Sequence, residues 1–337
     1  MRDLAWTVFV SLFVFSSTTS FAGTETKLNG YAEWRHGSLL IVDGERVFAD
    51  KSTKFKGNGD AKSFETIPIG YEVKVKGDRK PDGLVYAKEI EAKPNGTAMY
   101  EDDLKQAFNQ MEDLYKKQGK MFEEGSDGKE KDIGELKQSG PEVDRVRAIT
   151  TKLVPSYLKV EDFRVYVVEN KEWNAMAAPN RSIYVFSGLL KDMDDDEVAI
   201  VLGHELVHAT HEHSRKQYKS NMWVGLASAG AQAGSQTLLK SDVAKEGAGL
   251  ATNLGSSAFT NGYSRDYEDQ ADRVGLRYAY EGGYDVYKGP ALWGRFAKKY
   301  GDQDKVSNFF FGNHSVALDR KRNLEKELQY NYPPKKQ

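Results

Sequence analysis

The sequence predicts an α+β protein, in which a small OB-like β-barrel precedes a mainly helical domain that carries a small β-sheet. Three observations predict it. Residues Gly30 to Lys93 run as short alternating apolar and polar stretches separated by Asp-Gly and Pro-Asp-Gly turns. After Tyr100 the apolar residues recur at helical spacing, as at Val143, Val146, Ile149 and Leu153. Between helical stretches lie two compact β-branched and aromatic runs, Phe163 to Val168 and Ser182 to Phe186.

The 337 residues suffice for one large domain or two smaller ones, and 39% hydrophobic with 29% charged is an ordinary globular balance. A net charge of -2, with acids and bases interleaved, gives no electrostatic footprint for nucleic acid. Cysteine is absent, which excludes disulfides, thiolate metal sites, a cysteine nucleophile and a lipid-modified N-terminal cysteine.

Taken in order, the chain opens with Met1-Arg2-Asp3, an apolar run from Leu4 to Phe15, and small residues ending at Ala22. This pattern predicts a cleavable signal peptide over residues 1–22 and export to a periplasm; the apolar run is too short to span a bilayer. The barrel is expected over residues 24–95. Asp43-Gly44, between Leu39-Leu40-Ile41-Val42 and Glu45-Arg46-Val47-Phe48, is a two-residue hairpin signal, and Pro81-Asp82-Gly83 marks a second hairpin. Its strands lack a basic, aromatic-studded face, so a structural or partner-docking role is expected rather than nucleic-acid binding. A linker around Lys93-Pro94-Asn95-Gly96 leads to a second domain over residues 98–334. That domain begins with a charged helix from Tyr100 to Gln118, a glycine-containing loop from Gly125 to Lys131, and the helix that ends at Pro155. The Ser182 to Phe186 run is expected as a strand, either an open edge on which a peptide could align or a plain buried strand. The segment from Met222 to Thr260, rich in Ala, Gly, Ser and Leu, fits closely packed helices, with a lid or a surface touching membrane or unfolded clients as the alternative.

The chemistry concentrates in His204-Glu205-Leu206-Val207-His208. Histidines four apart on a helix share one face, about 6 Å apart along the axis, and can reach one zinc ion, while the glutamate lies beside the metal as a base. Asp194 followed by Glu197 is a capping-box signature, and Ala199, Leu202, Leu206 and Ala209 form a helical apolar stripe, so the motif is expected on a helix. Five of the six histidines fall in this region or at His314. His211 and His213 are read as structural. A catalytic zinc takes three protein ligands. The metzincin continuation, a glycine and then a histidine, is replaced here by His211 and Ser214, which leaves a glutamate from a later helix. Glu268 and Asp272, four apart in Ser264-Arg265-Asp266-Tyr267-Glu268-Asp269-Gln270-Ala271-Asp272, are the best candidates; spacing alone leaves open a solvated acidic face.

The combination of His204-Glu205-x-x-His208, Ser264-Arg265-x-x-Glu268-x-x-Ala271-Asp272 and the upstream Asn174-Ala175 to Gly188-Leu189-Leu190 segment resembles the HtpX and CAAX-prenyl-protease family of zinc metalloendopeptidases. More narrowly, it resembles that family's soluble periplasmic branch, which works in bacterial envelope protein quality control, and the resemblance covers about Pro141 to Leu328. It implies a zincin-like fold, one zinc ion held by His204, His208 and Glu268, Asp272 as the partner of a ligand histidine, and Glu205 as catalytic base. The family's late histidine with an arginine six residues on is matched by His314 and Arg320, which the resemblance casts as holding the developing oxyanion, with His314 able to cover the metal at rest. It further implies hydrolysis of unfolded or misfolded envelope proteins and peripheral contact with membrane or outer-membrane assembly machinery. The alternative is a chaperone-like, client-binding protein whose zinc site is normally shut.

Overall fold

The computed structural model describes residues 23–94, 101–124, 130–214, 216, 263–301 and 317–333. The expected leader over residues 1–22, the Met222 to Thr260 segment and His314 lie outside them. Among the described residues no helix is long and apolar enough to cross a membrane.

The front of the chain folds into six strands: β1 (Thr24–His36), β2 (Leu39–Val42), β3 (Glu45–Phe48), β4 (Lys54–Gly57), β5 (Glu72–Arg79) and β6 (Val85–Lys93). Their spatial order is β3-β2-β1-β5-β6-β4. The β2–β3 hairpin turns on Asp43 (φ 47°) and Gly44 (φ 80°), the two positive φ values a type I′ turn requires. The alternation of β5 is realised: Val73 and Val75 point into a core with Leu40, Val47, Ile67, Val85 and Ile90, while Lys74 and Lys76 face out. The expected closure into a barrel is only partial, because β3 meets β6 over just two pairs, Val47–Val85 and Phe48–Tyr86.

The second part begins with α1 (Glu101–Gln118), followed by β7 (Lys120–Glu124) and β8 (Glu130–Lys137), which pair as a hairpin that the sequence pattern did not suggest; the loop expected from Gly125 to Lys131 lies largely outside the described residues. Next come α2 (Pro141–Leu153), β9 (Arg164–Val168), β10 (Ala175–Ala177) and β11 (Ser182–Phe186). These strands form a sheet in the order β10-β11-β9-β8-β7. The open-edge expectation for Ser182 to Phe186 is therefore corrected: β11 is flanked by β9, to which it runs parallel, and by β10, which takes the edge position. Glu112 locks α1 onto this sheet. Its buried carboxylate accepts from Arg164 Nε (2.7 Å) and Nη2 (2.8 Å), Ser182 Oγ (2.6 Å), Asn180 Nδ2 (2.8 Å) and Tyr166 OH (2.5 Å).

Helices α3 (Ser187–Asp192), α4 (Asp195–Thr210), α5 (Arg265–Glu281), α6 (Gly289–Tyr300) and α7 (Ala317–Asn331) complete the described chain. The apolar stripe understates α4: every residue from Glu197 to His208 is buried, because the helix has neighbours on all sides, with α2, α5, α6 and β10 packed around it. Burial of Val198, Leu202, Leu206 and Val207 stabilises this arrangement by roughly 1.5–3 kcal/mol per side chain. Arg145 of α2 joins the elements before it, donating to Leu190 O (2.6 Å) and Met193 O (2.8 Å) at the end of α3 and to Asp195 (2.7 Å) at the start of α4.

Candidate metal centre

The site starts from the capping of α4. The Asp194 carboxylate accepts from the backbone N–H groups of Asp196 and Glu197, both at 3.1 Å, and Glu197 reaches back to the N–H of Asp194, so the expected capping box is present. Lys288 bonds Asp194 and Asp196 at 2.7 and 2.6 Å, holding the acidic first turn. A helix fixed at this end presents His204, Glu205 and His208 within one turn and a half.

The opposing helix, α5, starts at Ser264, whose hydroxyl accepts from the backbone N–H of Tyr267, and ends at Gly282. Gly203 of α4 and Gly275 of α5 let the two backbones touch: a Cβ on Gly275 would stand 2.5 Å from His204 N and 2.6 Å from Gly203 C. This close crossing brings Glu268 to the histidines. His204 Nε2 and His208 Nε2 are 3.1 Å apart, and they lie 3.5 and 3.4 Å from Glu268 Oε2 and Oε1. A tetrahedral zinc site, with ligand bonds near 2.0–2.1 Å, spaces its donors about 3.3 Å apart, so the three donors fit such an ion in both spacing and chemistry. All three residues are at most 2% exposed. His204, His208 and Glu268 thus form a group that could hold a metal ion.

Asp272 lies one turn further along α5. Its Oδ1 is 2.8 Å from His204 Nδ1, and Arg320 of α7 donates to the same carboxylate from Nε (3.1 and 3.0 Å) and Nη2 (2.6 Å). The Arg320 guanidinium also stacks 3.5 Å over the Trp293 ring, and Arg320 is only 2% exposed. It therefore stands behind His204, engaged with Asp272 and with its Nη2 2.7 Å from His204 Nδ1. Burial tends to raise the Asp272 pKa, but Arg320 and His204 outweigh it and hold the carboxyl below its ordinary range. For His204 burial and the Arg320 charge push downward, yet Asp272 and Glu268 prevail and leave it at about 9. A carboxylate field that favours a proton on His204 also favours a divalent cation there.

Sequence reasoning missed the other half of the surroundings. His213 Nδ1 lies 3.0 Å from His208 Nδ1, and its Nε2 lies 3.0 Å from Gln270 Oε1. Burial pushes His213 down to about 3, which keeps the ring neutral. Tyr263 stacks on His208 at 3.8 Å and Tyr267 on His213 at 4.6 Å. His211 points elsewhere, against Tyr31 and Thr210, in keeping with a structural role. No helical spacing flags His213, because α4 ends at Thr210 and Glu212 takes a positive φ of 55° before it.

A buried His-His-Glu donor set on two crossing helices, with a glutamate between the histidines, is a group that could hold the metal of a metallopeptidase. The chain belongs to peptidase family M48, whose model matches residues 142–328. Residues 29–91 match a domain of unknown function, DUF5666, which coincides with the front sheet. Among curated relatives, the mitochondrial metalloendopeptidase OMA1 of Bos taurus is 28% identical over 46% of this chain and 32% of its own length. Its Arabidopsis thaliana counterpart is 30% identical over 51% of this chain and 34% of its own. The beta-barrel assembly-enhancing protease of Escherichia coli is 28% identical over 43% of this chain and 30% of its own. The chain thus spans about a third of the length of these relatives.

Proposed function

We propose that this chain is a zinc-dependent endopeptidase that hydrolyses unfolded or misfolded polypeptides of the bacterial envelope. The observation that carries the proposal is the set of separations among the buried side chains of His204, His208 and Glu268, 3.1, 3.4 and 3.5 Å, with Glu205 in the same helical turn. A zinc ion held there would supply Lewis-acid polarisation of the scissile carbonyl and a water activated near neutral pH.

The remaining roles belong to the protein. The Glu205 carboxylate accepts the proton of the attacking water and delivers it to the leaving amine. Asp272 accepts from His204 Nδ1–H, which leaves Nε2 as the donor toward the metal. Arg320 neutralises Asp272 and fixes its orientation, and we assign to His314 the task of helping to hold the developing oxyanion. An extended substrate would pair with β10, whose outer edge has no strand neighbour among the described residues and which packs beside α4. Backbone pairing of this kind binds with little sequence preference, which suits unfolded clients.

The envelope setting is supported by the leader-like residues 1–22 and by the likeness to a beta-barrel assembly-enhancing protease. We read residues 24–95 as an OB-like module and 98–334 as the peptidase domain, nearest to the soluble periplasmic branch of the HtpX-like proteins. The test is to incubate the purified chain with an unfolded polypeptide, with and without a zinc chelator, and then to restore zinc. Cleavage that is lost on chelation and regained with zinc is expected. Binding of the polypeptide without cleavage by the zinc-loaded chain would favour a client-binding protein instead.

A further inference from the structure

The metal ligand His208 is connected to the front sheet by an unbroken hydrogen-bonded chain. Its Nδ1 meets His213 Nδ1 at 3.0 Å, and His213 Nε2 meets Gln270 Oε1 at 3.0 Å. The Gln270 amide then reaches Glu33 Oε1 (2.8 Å) and Asp43 Oδ1 (2.7 Å), both in the DUF5666 segment. Glu33 is itself clamped by Arg273 Nε (3.0 Å) and Nη2 (2.9 Å) and by the backbone N–H of Gly44 (3.1 Å). Asp43 also accepts from the N–H of Tyr31 at 2.8 Å. His208, His213, Gln270 and Glu33 are each at most 5% exposed.

The direction of each bond follows from its outer end. Glu33 accepts from Arg273 and the Gly44 N–H, and Asp43 Oδ1 accepts from the Tyr31 N–H, so both oxygens act as acceptors toward Gln270; the Gln270 face toward them is its NH2 group and the face toward His213 is its carbonyl. A carbonyl accepts, so His213 carries its proton on Nε2. Its Nδ1 is then a lone pair, which can only accept from Nδ1–H of His208. That tautomer leaves the Nε2 lone pair of His208 aimed at His204 and Glu268, as metal ligation requires. Tyr267, stacked at 4.6 Å and 14° on His213, prevents the ring from turning out of line.

We infer that Gln270 and His213 are positioning residues that set the tautomer of His208 from the front sheet, making the DUF5666 segment part of the metal site. Asp272 serves His204 on one side, and the Gln270–His213 pair serves His208 on the other. The inference rests on the metal-site reading proposed above. It accounts for a buried uncharged glutamine that bridges a histidine and two carboxylates from the front of the chain.

The test uses the full chain. Zinc affinity is measured by competition with a chromophoric chelator for wild type and Gln270→Met, which keeps the side chain's size but can neither accept from His213 nor donate to Glu33. A loss of about 10- to 100-fold is expected, in line with the removal of an outer partner of a ligand histidine. Long-range proton–nitrogen NMR of the zinc-loaded wild type should show His208 protonated on Nδ1 and His213 on Nε2, and Gln270→Met should mix the His213 tautomers. A variant affinity within twofold of wild type, or His213 protonated on Nδ1 in the wild type, would overturn the inference. If Gln270→Met does not fold, the wild-type tautomers alone decide. Wild type that binds no zinc would sink the metal-site reading, whereas zinc binding with the wrong tautomers would sink only the relay.

Discussion

Replacing Gly275 by alanine tests whether the close crossing of α4 and α5 is what assembles the metal centre. The added Cβ would stand 2.5 Å from His204 N, 2.6 Å from Gly203 C and 2.7 Å from His204 Cα, all of them backbone. Real Cβ atoms keep at least 3.0 Å from such neighbours, so the helices must part by about half an ångström or more. Because His204 and His208 sit on one helix and Glu268 on the other, that displacement passes directly into the separations of the three candidate donors. Metal sites tolerate only about 0.2 Å in ligand distance. Zinc affinity should therefore fall at least about tenfold, and overpacking should cost about 1–3 kcal/mol of stability. The assay is thermal unfolding of the metal-free protein together with zinc titration against a competing chelator. Gly294→Ala is the control: its Cβ would meet nothing nearer than Lys321 Cδ at 3.7 Å, and alanine in α6 should be neutral or stabilising by about 0.5–1 kcal/mol. Equal stability and zinc affinity, within twofold, for the two variants would refute the idea that this contact builds the site.

Three further outcomes are expected. Asp272→Ala strands the buried guanidinium of Arg320 and should cost about 3–5 kcal/mol in denaturant unfolding, with weaker zinc binding in whatever folds; a loss below 1 kcal/mol would contradict the pairing. Asp194→Ala removes the cap of α4 and should cost about 1 kcal/mol by the same measurement. Glu112 is held at about 2 against an ordinary 4.5: burial alone would raise it, but bonds from Arg164, Ser182 and Tyr166 prevail. Because the folded value is depressed, its contribution of roughly 2–3 kcal/mol is present above pH 4.5 and is lost as pH falls toward 2. The stability gap between wild type and Glu112→Gln should narrow over that window, and a constant gap would contradict the assignment.

Legibility in the sequence followed the range of the interactions. The α4 helix could be read because its cap, Asp194 with Glu197, and its ligand spacing are local. Glu268 and Asp272 could be placed on one helix by spacing, but only the likeness to a known family selected them over a solvated acidic face, since pairing with His204 across 68 residues leaves no local trace. The β7–β8 hairpin stayed hidden because Lys120 to Glu124 and Glu130 to Lys137 are mostly charged, and β8 gains its strand character from pairing with β9. The Ser182 to Phe186 strand was legible as a strand, yet its central position is decided by β9 and β10 rather than by its own residues. His213 was read as structural together with His211, since neither continues the ligand spacing of His204 and His208. Its contact with Gln270 and, through it, Glu33 joins elements more than 200 residues apart in the chain. Glutamine carries no charge by which a sequence pattern could flag it.

The central claim is that Glu205 performs the proton transfers at a metal held by His204, His208 and Glu268. The most direct test measures zinc content and cleavage of an unfolded polypeptide in the same samples of wild type and Glu205→Gln. The account predicts one zinc per chain in both, with cleavage in wild type and a loss of at least about a hundredfold in the variant, the scale of a removed general base. Equal cleavage by the two zinc-loaded proteins, or none by zinc-loaded wild type, would contradict it.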